Sequence, residues 1–250
     1  MHAHRQPPLE PEELARYARQ MILPGFGREG QEKLKMARVL VAGVGGLGSL
    51  SSFYLCAAGV GHLTLVDRGR VQFPDLNRQL LYGEKDVGEI KVVTAGKRLL
   101  GLNSKIEVTP LLKDIDEETV SGVLDGIQIV VDGTDNFRTR RILNKACHAK
   151  RIPFVYGGIF GFKGSVTTIL PGQTPCLECF LTKDEETRLP IPALGPIVGV
   201  IAAIQVMEVL KLILEMGDLL AGELALYDGG RQSFRKLAIK KKQGCRICSA

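Results

Sequence analysis

Apolar residues in this 250-residue chain alternate between short continuous runs and longer stretches of helical period. The runs at 38–42, 62–66 and 127–131 are rich in Val, Leu and Ile and have the length of buried strands. Helical period fills the intervals. It covers 12–23 and 27–37 before the first run, 47–58 after it with Gly59 as a stop, and 90–100 and the acidic 116–124 further on. A strand is expected near 105–111, a helix from 138 to 150, and another strand at 153–156. Strand and helix thus alternate through residue 150, the pattern of a doubly wound, Rossmann-like α/β fold with a parallel sheet. Beyond it the character changes: 164–170 and 223–237 resemble antiparallel strands and hairpins, separated by an apolar helix at 195–216.

The expected organisation is a flexible tail over residues 1–13 and one continuous domain over 14–250. Within that domain, 14–150 form a nucleotide-binding half and 151–250 a mixed-sheet half. No linker divides them; the one polar excursion, 182–188, reads as a mobile loop. The helix at 195–216 has the length of a membrane span. It carries Gln205, Glu208, Lys211 and Glu215, however, which makes a buried helix the expectation and a membrane role not. The first eight residues lack the apolar segment of a secretory signal, so a cytoplasmic protein is expected. The net charge of +6 draws on Arg235, Lys236 and the run Lys240 to Lys242, read as a solvated strand end. With no tryptophan and no basic face interleaved with aromatics, nucleic acid is weakly supported as a partner.

Four of the six cysteines form two Cys-x-x-Cys pairs, Cys176/Cys179 and Cys245/Cys248. Four thiolates suit tetrahedral Zn²⁺ and leave no open position for a substrate, so the expected metal is a clasp, and the chemistry lies elsewhere. A cytoplasmic setting favours metal over disulfides. Cys56 and Cys147 sit in apolar helices and are read as inert core thiols.

The turn Gly43-Val44-Gly45-Gly46-Leu47-Gly48 lies between a strand and a helix, and Asp67 ends the next strand 19 residues beyond Gly48. Gly43 and Gly45 permit a tight turn and close approach of backbone to phosphate, and Gly48 lets helix and strand pack. Asp67 can accept from ribose hydroxyls. These features suit a nicotinamide dehydrogenase as well as an ATP user. The segment Asp75-Leu76-Asn77-Arg78-Gln79, then Lys91, then Thr134-Asp135-Asn136 after a strand shifts the balance. Two cations and a carboxylate are what a triphosphate with Mg²⁺ requires, and hydride transfer has no such need.

Those motifs, together with Arg16 to Gln20, Val87-Gly88, Gly195-Pro196 and both cysteine pairs, occur in one order over about 14–248. In this the chain resembles the ubiquitin-activating-type adenylyltransferases, the family that includes the sulfur-carrier-activating enzymes of molybdopterin and thiamine biosynthesis. The resemblance implies ATP-dependent adenylation of the C-terminal carboxylate of a small ubiquitin-like sulfur carrier ending in Gly-Gly, with release of pyrophosphate. It implies a homodimer in which Arg19 reaches the partner's ATP. Arg78 and Lys91 would neutralise phosphates, Asp135 would hold Mg²⁺ and Asp67 the ribose. Gly43, Gly45, Gly46, Gly48, Asn77, Gln79 and Asn136 would complete the ATP site.

Two departures matter. Relatives that bond covalently to their carrier place a cysteine shortly before the Gly195-Pro196 helix, and 182–194 contains none. Adenylation without an enzyme thioester is therefore expected, with sulfur from a separate persulfide donor. Asp75 stands where the family usually has asparagine; it either faces away or helps to bind Mg²⁺. His62 and His148 are read as structural, because adenylating an ionised carboxylate needs no base. Phe160, Phe162 and Lys163 either line a path for the carrier tail or form a packed turn. A relative that adenylates a small-molecule or tRNA-linked carboxylate, and a scaffold without catalysis, remain as alternatives.

Overall fold

The structure is a computed structural model in which residues 8–181 and 191–248 are described. The polar segment at 182–188 lies outside the described residues. Eight strands form one sheet in the order β3-β2-β1-β4-β5-β6-β7-β8. They are β1 (Arg38–Ala42), β2 (His62–Val66), β3 (Glu107–Leu111), β4 (Ile129–Asp132), β5 (Phe154–Phe160), β6 (Lys163–Ile169), β7 (Glu223–Asp228) and β8 (Ser233–Ala238). The first five are mutually parallel, and from β5 onward each neighbour is antiparallel. The parallel half followed by a mixed extension is as the sequence predicts.

Central strands are apolar on both faces because helices cover both, which is why they read as runs rather than alternations. On one face Val39, Val41, Leu63, Leu65 and Val131 pack under α3 (Gly27–Met36), α4 (Gly46–Ala58), α5 (Lys91–Leu102) and α8 (Gly195–Leu214). On the other, Leu40, Ala42, Val130 and Phe154 pack under α6 (Val120–Val123) and α7 (Phe137–Lys150). The exposed edges are blunted. β3 carries Pro110, which has no N–H to offer, and β8 presents Arg235 and Lys236 to solvent.

Helix α8 is long and apolar enough to cross a membrane, yet Gln205 and Glu208 are buried in it with partners inside the protein. Gln205 Nε2 donates to the carbonyls of Asp132 (2.8 Å) and Val155 (3.2 Å). Glu208 accepts from Thr168 Oγ1 and the Leu220 N–H and pairs with Lys211. Those bonds tie the helix to the sheet, so it is a core helix.

Several boundaries differ from expectation for local reasons. The helix expected over 12–23 divides at Tyr17 into α1 (Pro11–Arg16) and α2 (Ala18–Met21), because the Tyr17 ring turns inward and its hydroxyl accepts from Asn103 Nδ2 at 2.8 Å. The packed body begins at Leu9 rather than residue 14: Leu9 and Glu13 are buried, and Lys105 pairs with Glu10 and Glu12. The acidic helix shrinks to α6, because the Asp116 carboxylate draws the N–H groups of Glu118 and Thr119 into a turn. β5 runs four residues past Tyr156, since Gly157 lies where a Cβ would stand 2.5 Å from Gln205 Nε2.

Candidate active site

The strand order reverses at β1: β2 and β3 lie to one side of it, β4 and β5 to the other. At such a switch point the loops leaving the carboxyl ends of two adjacent strands diverge and open a crevice. The loops leaving β1 and β4 are the glycine turn and the 133–136 turn, so Gly43 to Gly48 and Thr134 to Asn136 border one crevice.

Glycine roles in the turn separate clearly. Gly43 has φ +83°, and a Cβ on it would lie 2.8 Å from the Gly133 carbonyl oxygen. A Cβ on Gly48 would lie 1.8 Å from the Gly43 carbonyl oxygen. Gly43 is therefore demanded by packing between the two loops and Gly48 by packing within the turn itself, and Gly133 is the partner the sequence did not single out. Gly45 is different: its nearest neighbour would be Gln79 Nε2 at 3.7 Å, so its face is left open to a ligand. A Cβ on Gly46 would touch Val198 on α8 and stand 3.8 Å from Arg78 Cγ.

Asp67, half-buried at the end of β2, accepts from the Val44 N–H (Oδ2, 2.9 Å) and the Gly69 N–H (Oδ1, 2.6 Å). Each oxygen keeps a lone pair for a hydroxyl donor. Tyr82 supports the same turn by donating to the Val44 carbonyl at 2.8 Å; burial holds its hydroxyl well above the usual range, with Asp67 and Asp75 adding to the effect.

Asp75, Arg78, Gln79 and Lys91 form one cluster. Asp75 is buried, which removes the possibility that it faces away. Its Oδ2 lies 3.0 Å from Lys91 Nζ and accepts the Gln72 N–H at 3.1 Å, while Oδ1 accepts from Gln79 Nε2 at 2.8 Å and lies 3.6 Å from Arg78 Nη2. Arg78 also donates to the Pro74 carbonyl and to Asn77 Oδ1. The α8 start closes over this segment, for a Cβ on Gly195 would stand 2.7 Å from the Asn77 carbonyl.

Beyond β4, Asn136 caps α7 by accepting the Thr139 N–H at 2.9 Å, and Asp135 beside it is exposed. Beneath them lies a buried ion pair that sequence reasoning missed. Arg140 Nε donates to Asp132 Oδ2 at 2.9 Å, and Nη2 donates to the carbonyls of Thr134 (2.7 Å) and Gly157 (2.9 Å). Thr134 gives both its N–H and its hydroxyl to Asp132 Oδ1. Burial pushes the Asp132 carboxyl upward against the pull of Arg140. Burial, the largest single influence on Arg140, opposes its charge, but Asp132, Tyr156 and Asp135 together outweigh it and hold the guanidinium protonated. The signal was present: Arg140, Leu143, Asn144 and Cys147 fall on one inward helical stripe.

Arg19 does not join this group. It is exposed on α2, and α2 packs on α1 and α3. Next to it Gln20 donates to the carbonyl of Ala58 at 2.8 Å, the far end of α4 from the glycine turn. With 13 residues in α4, the two ends stand about 20 Å apart, beyond the reach of an arginine side chain.

The four clustered cysteines meet on the α7 side of the sheet. Their sulfurs all lie within 4.8 Å of one another, with Cys176 to Cys245 at 3.6 Å and Cys179 to Cys248 at 3.3 Å. Tetrahedral Zn²⁺ with bonds of ~2.3 Å requires sulfurs about 3.8 Å apart, so the set fits that ion with slight adjustment. The Lys242 N–H points at Cys179 Sγ (3.4 Å), and Asn144 and Arg141 of α7 bind Leu177 and Glu178, docking the module on the domain. Cys56 and Cys147 are buried elsewhere, where desolvation pushes their thiols up to about 11 and about 12. His62 pairs with Glu107 on the sheet edge, and burial then Lys241 hold His148 below its usual range; neither lies in the crevice.

The ThiF family pattern matches residues 17–247. The molybdopterin-synthase adenylyltransferase of Salmonella typhimurium is 37% identical over 244 residues, covering 96% of this chain and 98% of that protein. The sulfur carrier protein adenylyltransferase of Thermus thermophilus is 41% identical, covering 95% and 91%. A crystal structure of E. coli MccB with AMPCPP and MccA has a TM-score of 0.85 at 25% identity, covering 94% of this chain and 74% of that one. Likeness of this extent, in a chain whose glycine turn and paired cations share one crevice, means that the protein belongs to the ThiF family and is an ATP-dependent adenylyltransferase.

Proposed function

We propose that this enzyme adenylates the C-terminal glycine carboxylate of a small ubiquitin-like sulfur-carrier protein ending in Gly-Gly. The reading rests most on one observation: Arg78 and Lys91, 13 positions apart in sequence, meet at Asp75 beside the glycine turn. A carboxylate oxygen attacks the α-phosphorus of ATP, the bond to the β-phosphate oxygen breaks, and pyrophosphate leaves with the electron pair. Anion meets anion in that step, so charge must be screened; Arg78 and Lys91 do so at the phosphates. The open face of Gly45, with Gly43, Gly46 and Gly48, lets the turn approach the phosphates, and Asp67 accepts from the ribose. Asn77, Gln79 and Asn136 frame the site. Asp135, an exposed hard oxygen donor, would hold Mg²⁺, which supplies further charge neutralisation.

Arg19 is assigned to the site of a second subunit, in keeping with its position about 20 Å from its own glycine turn. The names of the relatives favour a sulfur carrier as substrate. The exposed Phe160 and Phe162 at the β5–β6 turn offer an apolar rim for the carrier tail. No thioester forms on this chain: among the described residues, the thiols outside the four-cysteine cluster are buried and weakly acidic. Sulfur then comes from a separate persulfide donor acting on the adenylate, and zinc closes the cysteine cluster. The substrates place the reaction in the cytoplasm.

ATP–pyrophosphate exchange tests the assignment. Exchange should require a carrier with an intact Gly-Gly end and vanish when the last glycine is removed. Exchange supported by tRNA or small acids, and by no carrier, would replace this reading with the alternative substrate classes.

A further inference from the structure

The crevice holds its own anion. Asp75 is 7% exposed, accepts hydrogen bonds from Gln79 Nε2 and the Gln72 N–H, and forms ion pairs with Lys91 Nζ at 3.0 Å and Arg78 Nη2 at 3.6 Å. A carboxylate so surrounded is fully satisfied, and both cations are turned inward toward it rather than left open. The Lys91 side chain is 13% exposed and that of Arg78 29%. A second observation points the same way. Gln79 commits its amide nitrogen to Asp75, and its Oε1 is left buried with no hydrogen-bond partner. A buried acceptor without a donor is costly, so the cluster gives up some stability to keep the Gln79 amide N–H on Asp75.

We propose that Asp75 is a built-in counter-ion of the phosphate-binding cations, which a polyphosphate must displace from Lys91 and Arg78 in order to bind. Charge balance carries the argument. With Asp75 ionised, the three charged groups sum to +1; with a neutral group there, to +2. Any anion entering the cluster meets that difference at close range. Asp75 therefore weakens binding of ATP, and also of pyrophosphate, the product that must leave before the activated carboxyl group can be passed on. Its effect is to favour release over retention. This inference rests on the phosphate roles proposed above for Arg78 and Lys91.

The test is equilibrium binding of inorganic pyrophosphate, measured by calorimetry in buffer without Mg²⁺, and of AMPCPP with Mg²⁺, to Asp75→Asn, Asp75→Ser and Asp75→Glu. Asparagine is the gentlest change, because its amide can donate to the orphaned Gln79 Oε1, so this variant is expected to fold. Serine is the independent second neutral variant. Both should bind metal-free pyrophosphate about tenfold tighter, the scale of one partly screened charge interaction, with a steeper salt dependence. Asp75→Glu should stay near wild type. Unchanged or weaker pyrophosphate binding by both neutral variants would overturn the inference. Loss of affinity confined to the Mg²⁺ samples would overturn it in favour of Asp75 as a metal ligand. Lys91→Met separates the two layers of argument. If it binds pyrophosphate as wild type does, the phosphate placement itself is wrong, and the counter-ion falls with it. If it binds weakly while the neutral Asp75 variants match wild type, only the counter-ion fails.

Discussion

Replacing Arg140 with methionine removes the cation from a pair in which Asp132 is fully buried and Arg140 nearly so. Methionine fills most of the volume but offers no donor. Three bonds disappear, to Asp132 Oδ2 and to the carbonyls of Thr134 and Gly157, and the Asp132 charge keeps only the two Thr134 donors. Breaking a buried pair by deleting one partner costs about 3 to 5 kcal/mol. With a urea slope near 3 kcal/mol per molar for a chain this size, the unfolding midpoint should fall by about 1 to 2 M. Circular dichroism with urea measures it. Activity should fall in folded protein as well, because the freed Thr134 carbonyl adjoins Asp135. A double-mutant cycle with Asp132→Asn isolates the pair: the double variant should be less destabilised than the sum of the singles by about 2 kcal/mol. A midpoint shift below about 0.3 M, or strict additivity, would refute the claim that this pair holds the 133–136 turn.

Arg19→Ala and Asp135→Ala should each be inactive, and co-expression should restore activity. Half of a random dimer population is mixed, and one of its two sites is intact, so about a quarter of wild-type activity is expected; a verified heterodimer that stays inactive would return Arg19 to a surface role. Purified protein should carry about one zinc per chain, and Cys248→Ser should lose it. That clasp closes a loop from Cys176 to Cys245, 69 positions apart, whose closure entropy amounts to about 4 kcal/mol, so the melting temperature should drop by about 8 to 16 °C. Unchanged melting without metal would remove the clasp. At pH 8, well below the raised values of about 11 and about 12, Cys56 and Cys147 should resist iodoacetamide until the protein is unfolded, and mass spectrometry should find no covalent carrier adduct.

Much of this was legible in the chain because backbone demands leave strong residue signatures. Buried strands need continuous apolar runs, the switch-point turn needs glycines where backbones touch, and Gly59 ends α4 with φ +85°. Nearest-neighbour competition hid the rest. Tyr17 breaks a helix that its own sequence favours, since Asn103, 86 positions on, bonds to its hydroxyl. Asp116 spends the first turn of a predicted helix on its side chain. Asp132 follows an apolar run in the sequence, and only the fold brings Arg140 under it. The orientation of Asp75 likewise depends on Lys91, 16 positions away and on another element.

Helix α4 acts as a ruler. The glycine turn sits at its first residue, and the unit that carries Arg19 is bonded to its last through Gln20 and Ala58. Each residue of helix advances 1.5 Å and turns by about 100°. Inserting or deleting one residue in α4 would therefore swing α2 to a different bearing while leaving the local site intact. Where Arg19 serves a neighbouring subunit, its aim is set by the number of residues in this rod. Length changes between this protein and its relatives are then expected to gather in surface turns such as β5–β6 and to spare α4.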